Sequence, residues 1–317
     1  MKSGKKISIL GAGNVGATIA YTLTMSGLAS EIVLIDINRE KAIGEAMDIL
    51  QGTPLCPPVN IYAGEYSAAA ESDIVIVTLG MARKPGQTRI DLAQNNVNII
   101  KDVMPQIAKF APDAVYVVVS NPVDILTYAI IKATGLPEHR VIGSGTLLDS
   151  ARLRSALAEH VHLSPESVQA YVFGEHGDSS MIPWSLTTIA GMEMDNYCTN
   201  VCPRHNQCGK IELHDIEDDV RTAGAKVIKL KGATYYAIAL SVKRICECVL
   251  RDTDTVLSVS GMLHDNYGMS DVCLSIPFVV GGGGIKRALT LPLTKEENEQ
   301  LKGSGEALRK VLDMLKF

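Results

Sequence analysis

The residues best suited to chemistry lie in the second half of the chain. His176 stands in a glycine-flanked turn, Gly-Glu-His-Gly-Asp-Ser, where it can gain or lose a proton near neutral pH. Asp149, on a predicted helix, is a candidate to hold the second ring nitrogen, and Arg152 lies one helical turn further along the same face. Because the planar guanidinium of Arg152 suits two-point capture of a carboxylate, the set indicates acid–base chemistry on an organic acid.

A glycine-rich turn near the start of the chain is the second chemical signal. The sequence Gly-Ala-Gly-Asn-Val-Gly (residues 11–16) lies between a strand pattern and a helix pattern, as a dinucleotide-binding turn requires. Gly11 permits the tight turn, Gly13 lets the backbone approach a pyrophosphate, and Gly16 allows the helix to pack closely. The helix N-terminus then offers backbone N–H groups to the phosphates.

Asp36 indicates which dinucleotide we expect. It ends the next strand pattern, 20 residues after Gly16. A carboxylate there accepts hydrogen bonds from the adenosine ribose diol and repels a 2′-phosphate, so NAD is favoured over NADP. Arg39 lies close enough in the sequence to weaken that exclusion somewhat.

The oriented histidine, the carboxylate anchor and the nicotinamide cofactor together predict hydride transfer at an alcohol carbon. His176 would take the hydroxyl proton as the hydride leaves, and its imidazolium would protonate the carbonyl oxygen in the reverse direction. Asp149 would stabilise that imidazolium and thereby raise the pKa of His176.

Residues 80–89, Gly-Met-Ala-Arg-Lys-Pro-Gly-Gln-Thr-Arg, form a cationic loop that we call the lid. The loop leaves the end of an apolar strand pattern, where α/β proteins carry their chemistry. We expect it to close over the substrate, and we expect Arg89 to polarise the reacting carbonyl once closure has excluded water. Arg83, on the same loop, is a second guanidinium that could face the substrate.

The elements that must position these residues alternate along the first half of the chain. Helix patterns separate successive strand patterns, which lie at residues 5–10, 31–36, 74–79 and 114–120. Such alternation predicts right-handed crossovers and an α/β fold with a Rossmann-type doubly wound parallel sheet.

After residue 143 the pattern changes to that of an α+β domain. A turn joins the strand patterns at 256–260 and 272–280, which predicts antiparallel pairing. Other elements expected there are helices at 147–160 and 215–251, the second interrupted at Gly232, a short strand at 169–173, and a last helix opened by a capping box at 294–297. We therefore predict an NAD-binding domain over residues 1–145 and a catalytic, substrate-binding domain over residues 146–317.

The composition argues against several classes of partner. A net charge of −5 without a long basic run does not indicate nucleic acid or a membrane surface. No apolar run approaches the roughly 20 residues of a membrane helix. Seven scattered cysteines form no disulfide framework, and the N-terminus carries no apolar leader. We expect a cytoplasmic protein whose partners are small molecules and copies of itself.

Five motifs occur in the order and spacing of one known family. They are Gly-Ala-Gly-Asn-Val-Gly, Ser-Asn-Pro-Val-Asp, Gly-Ser-Gly-Thr-Leu-Leu-Asp-Ser-Ala-Arg, Gly-Glu-His-Gly-Asp-Ser and Lys-Gly-Ala-Thr-Tyr-Tyr. Together they resemble the lactate and malate dehydrogenase superfamily over nearly the whole chain. The resemblance implies NAD as the cofactor, a 2-hydroxy or 2-keto acid as the substrate, a homotetramer, and a place in glycolysis and fermentation.

The resemblance also implies the residues of the site. The implied catalytic residues are His176, Asp149 and Arg89, and the implied substrate-binding residues are Arg152, Asn121, Arg83 and Thr234. The implied cofactor-binding residues are Gly11, Gly13, Asn14, Val15, Gly16, Asp36, Gly80 and Asn121. No metal ligand belongs to the expected site.

One lid residue bears on the choice between two hydroxy acids. The motifs near the pocket resemble the lactate branch, so we expect L-lactate and pyruvate. Lactate enzymes usually carry glutamine where this chain has Arg83, however, and malate enzymes usually carry arginine there. A guanidinium facing the substrate would pair with the extra carboxylate of oxaloacetate, whereas one pointing into water would cost little. Malate and oxaloacetate are therefore the alternative pair.

A second departure from the family concerns regulation. Arg154 matches an arginine with which many bacterial members bind a sugar bisphosphate, but Gln169 stands where their histidine would be. Because glutamine cannot supply positive charge, we expect weak or absent activation by fructose 1,6-bisphosphate.

Other interpretations of the sequence are weaker. A hydrolase using Ser179 would lack a Gly-x-Ser-x-Gly elbow and would leave the glycine turn unexplained. A non-catalytic NAD-binding protein would leave the His, Asp and Arg motifs unexplained.

We expect the glycine run at 281–284 to be a hairpin loop. The spacing of one polar cluster lacks a zinc knuckle, and we expect no metal on its residues, which are Cys198, Cys202, His205 and Cys208.

Overall fold

The computed structural model describes residues 4–81, 86, 88–202 and 213–317. In the first half, strands alternate with helices. The strands are β1 (Lys6–Leu10), β2 (Glu31–Ile35), β3 (Asn60–Ala63), β4 (Ile74–Val77), β5 (Val115–Val118) and β6 (Val141–Gly143). The helices are α1 (Asn14–Ser26), α2 (Arg39–Gly52), α3 (Arg89–Phe110) and α4 (Val123–Thr134).

The second half is richer in helices and antiparallel strands. Its helices are α5 (Leu147–Val161), α6 (Met194–Asn200), α7 (Leu213–Lys231), α8 (Tyr236–Arg251) and α9 (Lys295–Met314). Its strands are β7 (Val168–Gln169), β8 (Thr188–Ile189), β9 (Met192–Glu193), β10 (Thr255–Asn266), β11 (Met269–Gly281) and β12 (Gly284–Ala288).

Among the described residues, the main sheet has nine strands in the order β12-β11-β10-β6-β5-β4-β1-β2-β3. The six strands of the first half are parallel, and their order, 3-2-1-4-5-6, is that of a dinucleotide-binding fold. Every residue of β4 and β5 is buried, because helices cover both faces of the sheet. The predicted Rossmann-type sheet is thus confirmed, and so is the α+β character of the second half.

The sheet continues beyond the parallel strands. β10 pairs antiparallel with β6 through Ser260 and Gly143, and β11 and β12 extend the same sheet as antiparallel neighbours. The turn predicted between the strand patterns lies between β10 and β11, and residues 281–284 join β11 to β12 as the expected hairpin. The capping box of α9 is present, with Thr294 and Glu297 bonding each other's backbone N–H groups.

Several elements differ from the sequence expectations, among them β3, α6, β8 and β9, which were not predicted. The strand predicted at 169–173 is wrong in its extent, because only Val168 and Gln169 form β7; Phe173 makes an isolated bridge with Met181. Helix α4 was not predicted at all. Residues Val123 to Ile131 are all buried, so the helix has no polar face whose spacing would reveal it. None of the described helices is long and apolar enough to span a membrane.

Candidate active site

The predicted functional residues gather at one edge of the sheet. The glycine turn follows β1, Asp36 follows β2, Gly80 follows β4 and Asn121 follows β5. Parallel strands deliver their carboxyl ends to the same edge, so four loops that are distant in sequence become neighbours.

The glycine turn fits a dinucleotide phosphate. Gly11 has a φ of +101°, and a Cβ there would lie 2.7 Å from Thr78 Oγ1. A Cβ on Gly16 would lie 1.9 Å from the Gly11 carbonyl oxygen, so only glycine allows α1 to start so close to β1. A Cβ on Gly13 would meet nothing within 4 Å, and no side chain caps the first turn of α1. The N-terminal N–H groups of α1 are therefore open to an anion.

Asp36 is held in place for a ribose. Its Oδ2 accepts a hydrogen bond from the Ala12 N–H at 2.6 Å, and its Oδ1 accepts one from the Asn38 N–H at 2.7 Å. The carboxylate lines a cavity of about 360 Å³, whose lining also includes Gly11, Gly13 and Gly80. Each oxygen keeps a further lone pair for a hydroxyl donor. These acceptors and this shape fit the adenosine end of NAD. Arg39 pairs instead with Glu65, at 3.5 Å.

His176 and Asp149 form a close pair. His176 Nδ1 lies 2.6 Å from Asp149 Oδ2, and Arg152 Nη1 donates to Asp149 Oδ1 at 2.8 Å. Asp149 and Arg152 occupy the first two turns of α5, three residues apart, so the helix presents both on one face.

The charges at this pair shift both pKa values. Burial alone would lower the pKa of His176, but the carboxylate of Asp149, assisted by that of Asp124, outweighs burial and raises it. Burial would raise the pKa of Asp149, but the charges of His176 and Arg152 hold it below its usual range. The pair therefore favours an imidazolium beside a carboxylate more strongly than the two isolated side chains would.

A cavity of about 310 Å³ brings together six of the predicted residues. Its lining includes His176, Asp149, Arg152, Asn121 and Thr234, and Val15 of the predicted cofactor set also lines it. The cavity has room for a small organic acid beside His176. One wall is helix α7, where Gly224 faces Arg152: a Cβ on Gly224 would lie 3.7 Å from Arg152 Nη2.

Of the two arginines of the lid, the structure describes only Arg89. Arg89 is the first residue of α3 rather than part of a loop, because Thr88 and Asp91 form a capping box there. Its guanidinium is 71% exposed and pairs with Asp178 at 2.5 Å. Asp178 lines the cavity, whereas Arg89 does not. Arg83 lies outside the described residues, so its orientation stays a prediction.

Comparisons with known proteins agree with this geometry. Residues 5–143 match the lactate/malate dehydrogenase NAD-binding domain, and residues 146–316 match the α/β C-terminal domain of the same family. The chain belongs to the lactate/malate dehydrogenase family. The predicted family is confirmed, and so is NAD as the cofactor.

The similar family members are named as lactate enzymes. An L-lactate dehydrogenase of Thermoanaerobacter sp. (strain X514) is 49% identical over 98% of this chain and 99% of its own length. L-lactate dehydrogenase 1 of Clostridium acetobutylicum is 47% identical over 99% of this chain and 100% of its own. A solved structure, the minor L-lactate dehydrogenase of Enterococcus mundtii in a ligand-bound form, superposes with a TM-score of 0.95 at 38% identity over the full length of both chains.

Two residues around the site of the present chain, Asn96 and Arg221, were not assigned a role from the sequence. Asn96, buried on α3, accepts a hydrogen bond from the Met81 N–H at 2.9 Å and donates to the Asn121 carbonyl at 2.8 Å. It thereby joins the start of the lid to the turn that carries Asn121. A polar residue between apolar neighbours on the buried face of α3 is the signal that could have revealed it.

Arg221 was also not assigned a role. It lines the same cavity from α7 and donates to the Ser180 carbonyl at 3.3 Å, which fastens α7 to the turn that carries His176. The Arg221 side chain also contacts Asp218 on its own helix at 3.0 Å.

Two secondary expectations concern residues near the ends of α5 and α6. The guanidinium of Arg154 donates to the carbonyls of Val168 and Pro165, next to the exposed Gln169, so weak activation by a sugar bisphosphate stays a prediction. His205 and Cys208 lie outside the described residues, which leaves the expectation of no metal there untested. Within the described ranges, no group of three or more His, Cys, Asp or Glu residues could hold a metal ion.

Proposed function

We propose that this chain is an NAD-dependent dehydrogenase that interconverts L-lactate and pyruvate. The observation that carries the proposal is the 2.6 Å pair of His176 and Asp149, which shares a cavity with the guanidinium of Arg152 beside the glycine turn. The named relatives, which are L-lactate dehydrogenases over nearly the full length, support lactate over malate.

The residues divide the work by their chemistry. Arg152 holds the substrate carboxylate with two hydrogen bonds, which directs the hydroxyl or keto oxygen toward His176. His176 removes the hydroxyl proton during oxidation and returns it to the keto oxygen during reduction, while Asp149 stabilises the charged ring. When bound, NAD⁺ accepts a hydride from the hydroxyl-bearing carbon, and NADH supplies one in the reverse direction. Asn121 orients the substrate, and Thr234 lines the pocket near the side chain of the substrate.

Arg89 joins the reaction only when the lid closes. In this structure its charge is neutralised by Asp178, two residues after His176. Closure would exchange this exposed ion pair, worth at most about 1 kcal/mol, for contact with the reacting oxygen in a site without water. Because the exposed pair costs little to break, it would not prevent that exchange.

A substitution of Arg83 tests whether this residue contributes to the choice between pyruvate and oxaloacetate. If its guanidinium faces the bound acid, Arg83→Gln is expected to raise the ratio of kcat/KM for pyruvate to that for oxaloacetate by about tenfold or more, equivalent to about 1.4 kcal/mol. Lys84→Gln, which removes the neighbouring charge of the same loop, is the matched control. Wild-type enzyme that reduces oxaloacetate better than pyruvate would overturn the proposed lactate activity. An unchanged ratio in Arg83→Gln would show only that this side chain does not face the substrate.

The raised pKa of His176 predicts opposite pH profiles for the two directions. Pyruvate reduction needs the protonated ring, so kcat/KM is expected to be constant at low pH and to fall as the pH passes the His176 pKa, above the usual 6.5. Lactate oxidation needs the neutral ring, so its kcat/KM rises through the same pH. Initial rates between pH 5 and 9 at saturating cofactor would check this. A reduction midpoint at or below 6.5 would contradict the assigned role of Asp149.

We also propose that the chain is divided into two functional halves and that it assembles as a homotetramer. Residues 1–145 would bind NAD and residues 146–317 would bind the substrate, which is consistent with the separate family matches to each part. Large apolar side chains are exposed on α1 and on two helices that contact it, which favours self-association: Tyr21 and Met25 on α1, Ile43 and Met47 on α2, and Tyr236 and Leu240 on α8. A cytoplasmic location and a place in glycolysis and fermentation stay predictions.

A further inference from the structure

His176 is held by two carboxylates, and the second one has no role in the mechanism so far. Asp124, in the first turn of α4, is 2% exposed. Its Oδ2 accepts a hydrogen bond from the backbone N–H of His176 at 2.8 Å. Asp149 therefore binds the ring of the histidine and Asp124 binds its backbone.

The charge of Asp124 is costly where it lies. Its other oxygen, Oδ1, is buried and makes no hydrogen bond of ordinary geometry to a described residue, although the Ser260 hydroxyl lies close enough to favour the charged form of Asp124. Burial raises the pKa of Asp124 to about 6. An asparagine would accept the same N–H hydrogen bond through its amide oxygen without burying a charge. The hydrogen bond alone therefore does not account for a carboxylate at this position.

We propose that Asp124 is a positioning residue for the reaction, whose hydrogen bond fixes the turn that carries His176 and whose negative charge helps to keep the proton on the His176 ring. This proposal rests on the role of His176 in the proposed function. Asp124 acts through His176 and is not in the lining of the substrate cavity.

The position of Asp124 along the chain adds to this argument. Asn121, which lines the substrate cavity, lies three residues earlier in the turn between β5 and α4. The short segment from Asn121 to Asp124 thus carries both a side chain that lines the cavity and the carboxylate that fixes the position of the His176 backbone. A shift of α4 would move the substrate-orienting group and the proton donor together, so their relative position is kept.

Other charged groups also act on His176, and the test must separate them from Asp124. From α5, Asp149 favours the charged ring and Arg152 opposes it. On the turn itself, Glu175 adds a negative charge near Asp124, and Asp178 is already paired with Arg89 of α3. The remaining groups near Asp124 and this turn are Ser260 on β10, Cys273 on β11 and Arg221 on α7.

The experiment replaces the charge and the hydrogen bond separately. Asp124→Asn keeps an acceptor for the His176 N–H and removes the charge, whereas Asp124→Ala removes both. For Asp124→Asn, the midpoints of pyruvate reduction and lactate oxidation against pH are both expected to move down by about 0.5 pH unit or more, since a charge within a few ångströms acts strongly in a buried site. Reduction at pH 8 then falls by about threefold or more, and oxidation at low pH rises by a similar factor.

Asp124→Ala is expected to lower kcat by about tenfold or more, with little change in the KM for NADH, because the turn loses its acceptor. Glu297→Gln is the matched control: Glu297 is also buried and accepts backbone N–H groups, those of Ser185 and Thr294, without contacting His176. Its pH midpoints are expected to equal those of the wild type. Equal losses in both directions without a shift in either midpoint for Asp124→Asn would overturn the proposal.

If an Asp124 variant fails to fold, a measurement on the wild-type protein still tests the proposal. With ¹⁵N-labelled histidine, the His176 amide proton is expected far downfield above pH 7 and moves upfield when Asp124 is protonated, with a midpoint near 6. An amide shift that follows only the ring titration would contradict the proposal. This measurement and the pyruvate assay are independent, so inactive wild-type enzyme would count against the proposed function and not against the Asp124 interaction.

Discussion

Replacing His176 with alanine is expected to lower kcat in both directions by about 100- to 10,000-fold, the range that a general acid–base group contributes. The ring is the proton carrier for the substrate oxygen, and alanine leaves Asp149 without its partner at 2.6 Å. The glycine turn after β1 and Asp36 after β2 are not touched by the change, so NADH binding is expected to remain. Steady-state rates with pyruvate and lactate, together with NADH binding by fluorescence, would measure both effects.

The control for this variant is His139→Ala. His139 is exposed and is absent from the lining of the cavity that contains His176, so its removal is expected to leave kcat unchanged. His176→Ala that kept more than about a tenth of the wild-type kcat would exclude the ring as the proton carrier. A parallel loss of NADH binding would instead indicate a collapsed site.

Arg152→Lys is expected to raise the KM for pyruvate strongly and to lower kcat/KM by about 100-fold or more. A lysine keeps the positive charge near Asp149 but cannot form two parallel hydrogen bonds with a carboxylate. A hydrogen bond to a charged group is worth about 1.5–3 kcal/mol, which covers the expected loss. Because the charge remains, the pH midpoint of reduction is expected to move much less than the KM.

Arg154→Lys is the matched control on the same helix. The guanidinium of Arg154 bonds the carbonyls of Val168 and Pro165 and does not line the substrate cavity, so the KM for pyruvate is expected to stay near the wild-type value. If Arg152→Lys bound pyruvate as tightly as the wild type, the substrate carboxylate would have to be held elsewhere. Comparing pyruvate with a keto compound that lacks a carboxylate would show whether the loss depends on that group.

The sequence by itself determined the local chemistry of this protein. A tight turn that brings a helix against a strand admits only glycine at Gly11 and Gly16, so the cofactor turn is encoded within six residues. Asp149 and Arg152 lie three apart on one helix, and helical geometry alone places them side by side. The Rossmann-type sheet followed from the alternation of strand and helix patterns, which reports burial on both faces.

Only the tertiary structure decided which distant groups meet. The salt bridge of Arg89 with Asp178 joins residues 89 positions apart, and the contact of Asp124 with the His176 N–H joins residues 52 apart. Periodicity in a sequence reports the environment of a single element, not its neighbours in space. A buried carboxylate such as Asp124, on a helix without a polar face, therefore leaves no periodic signal, and its place beneath the catalytic histidine becomes visible only when α4 is packed against the turn that carries His176.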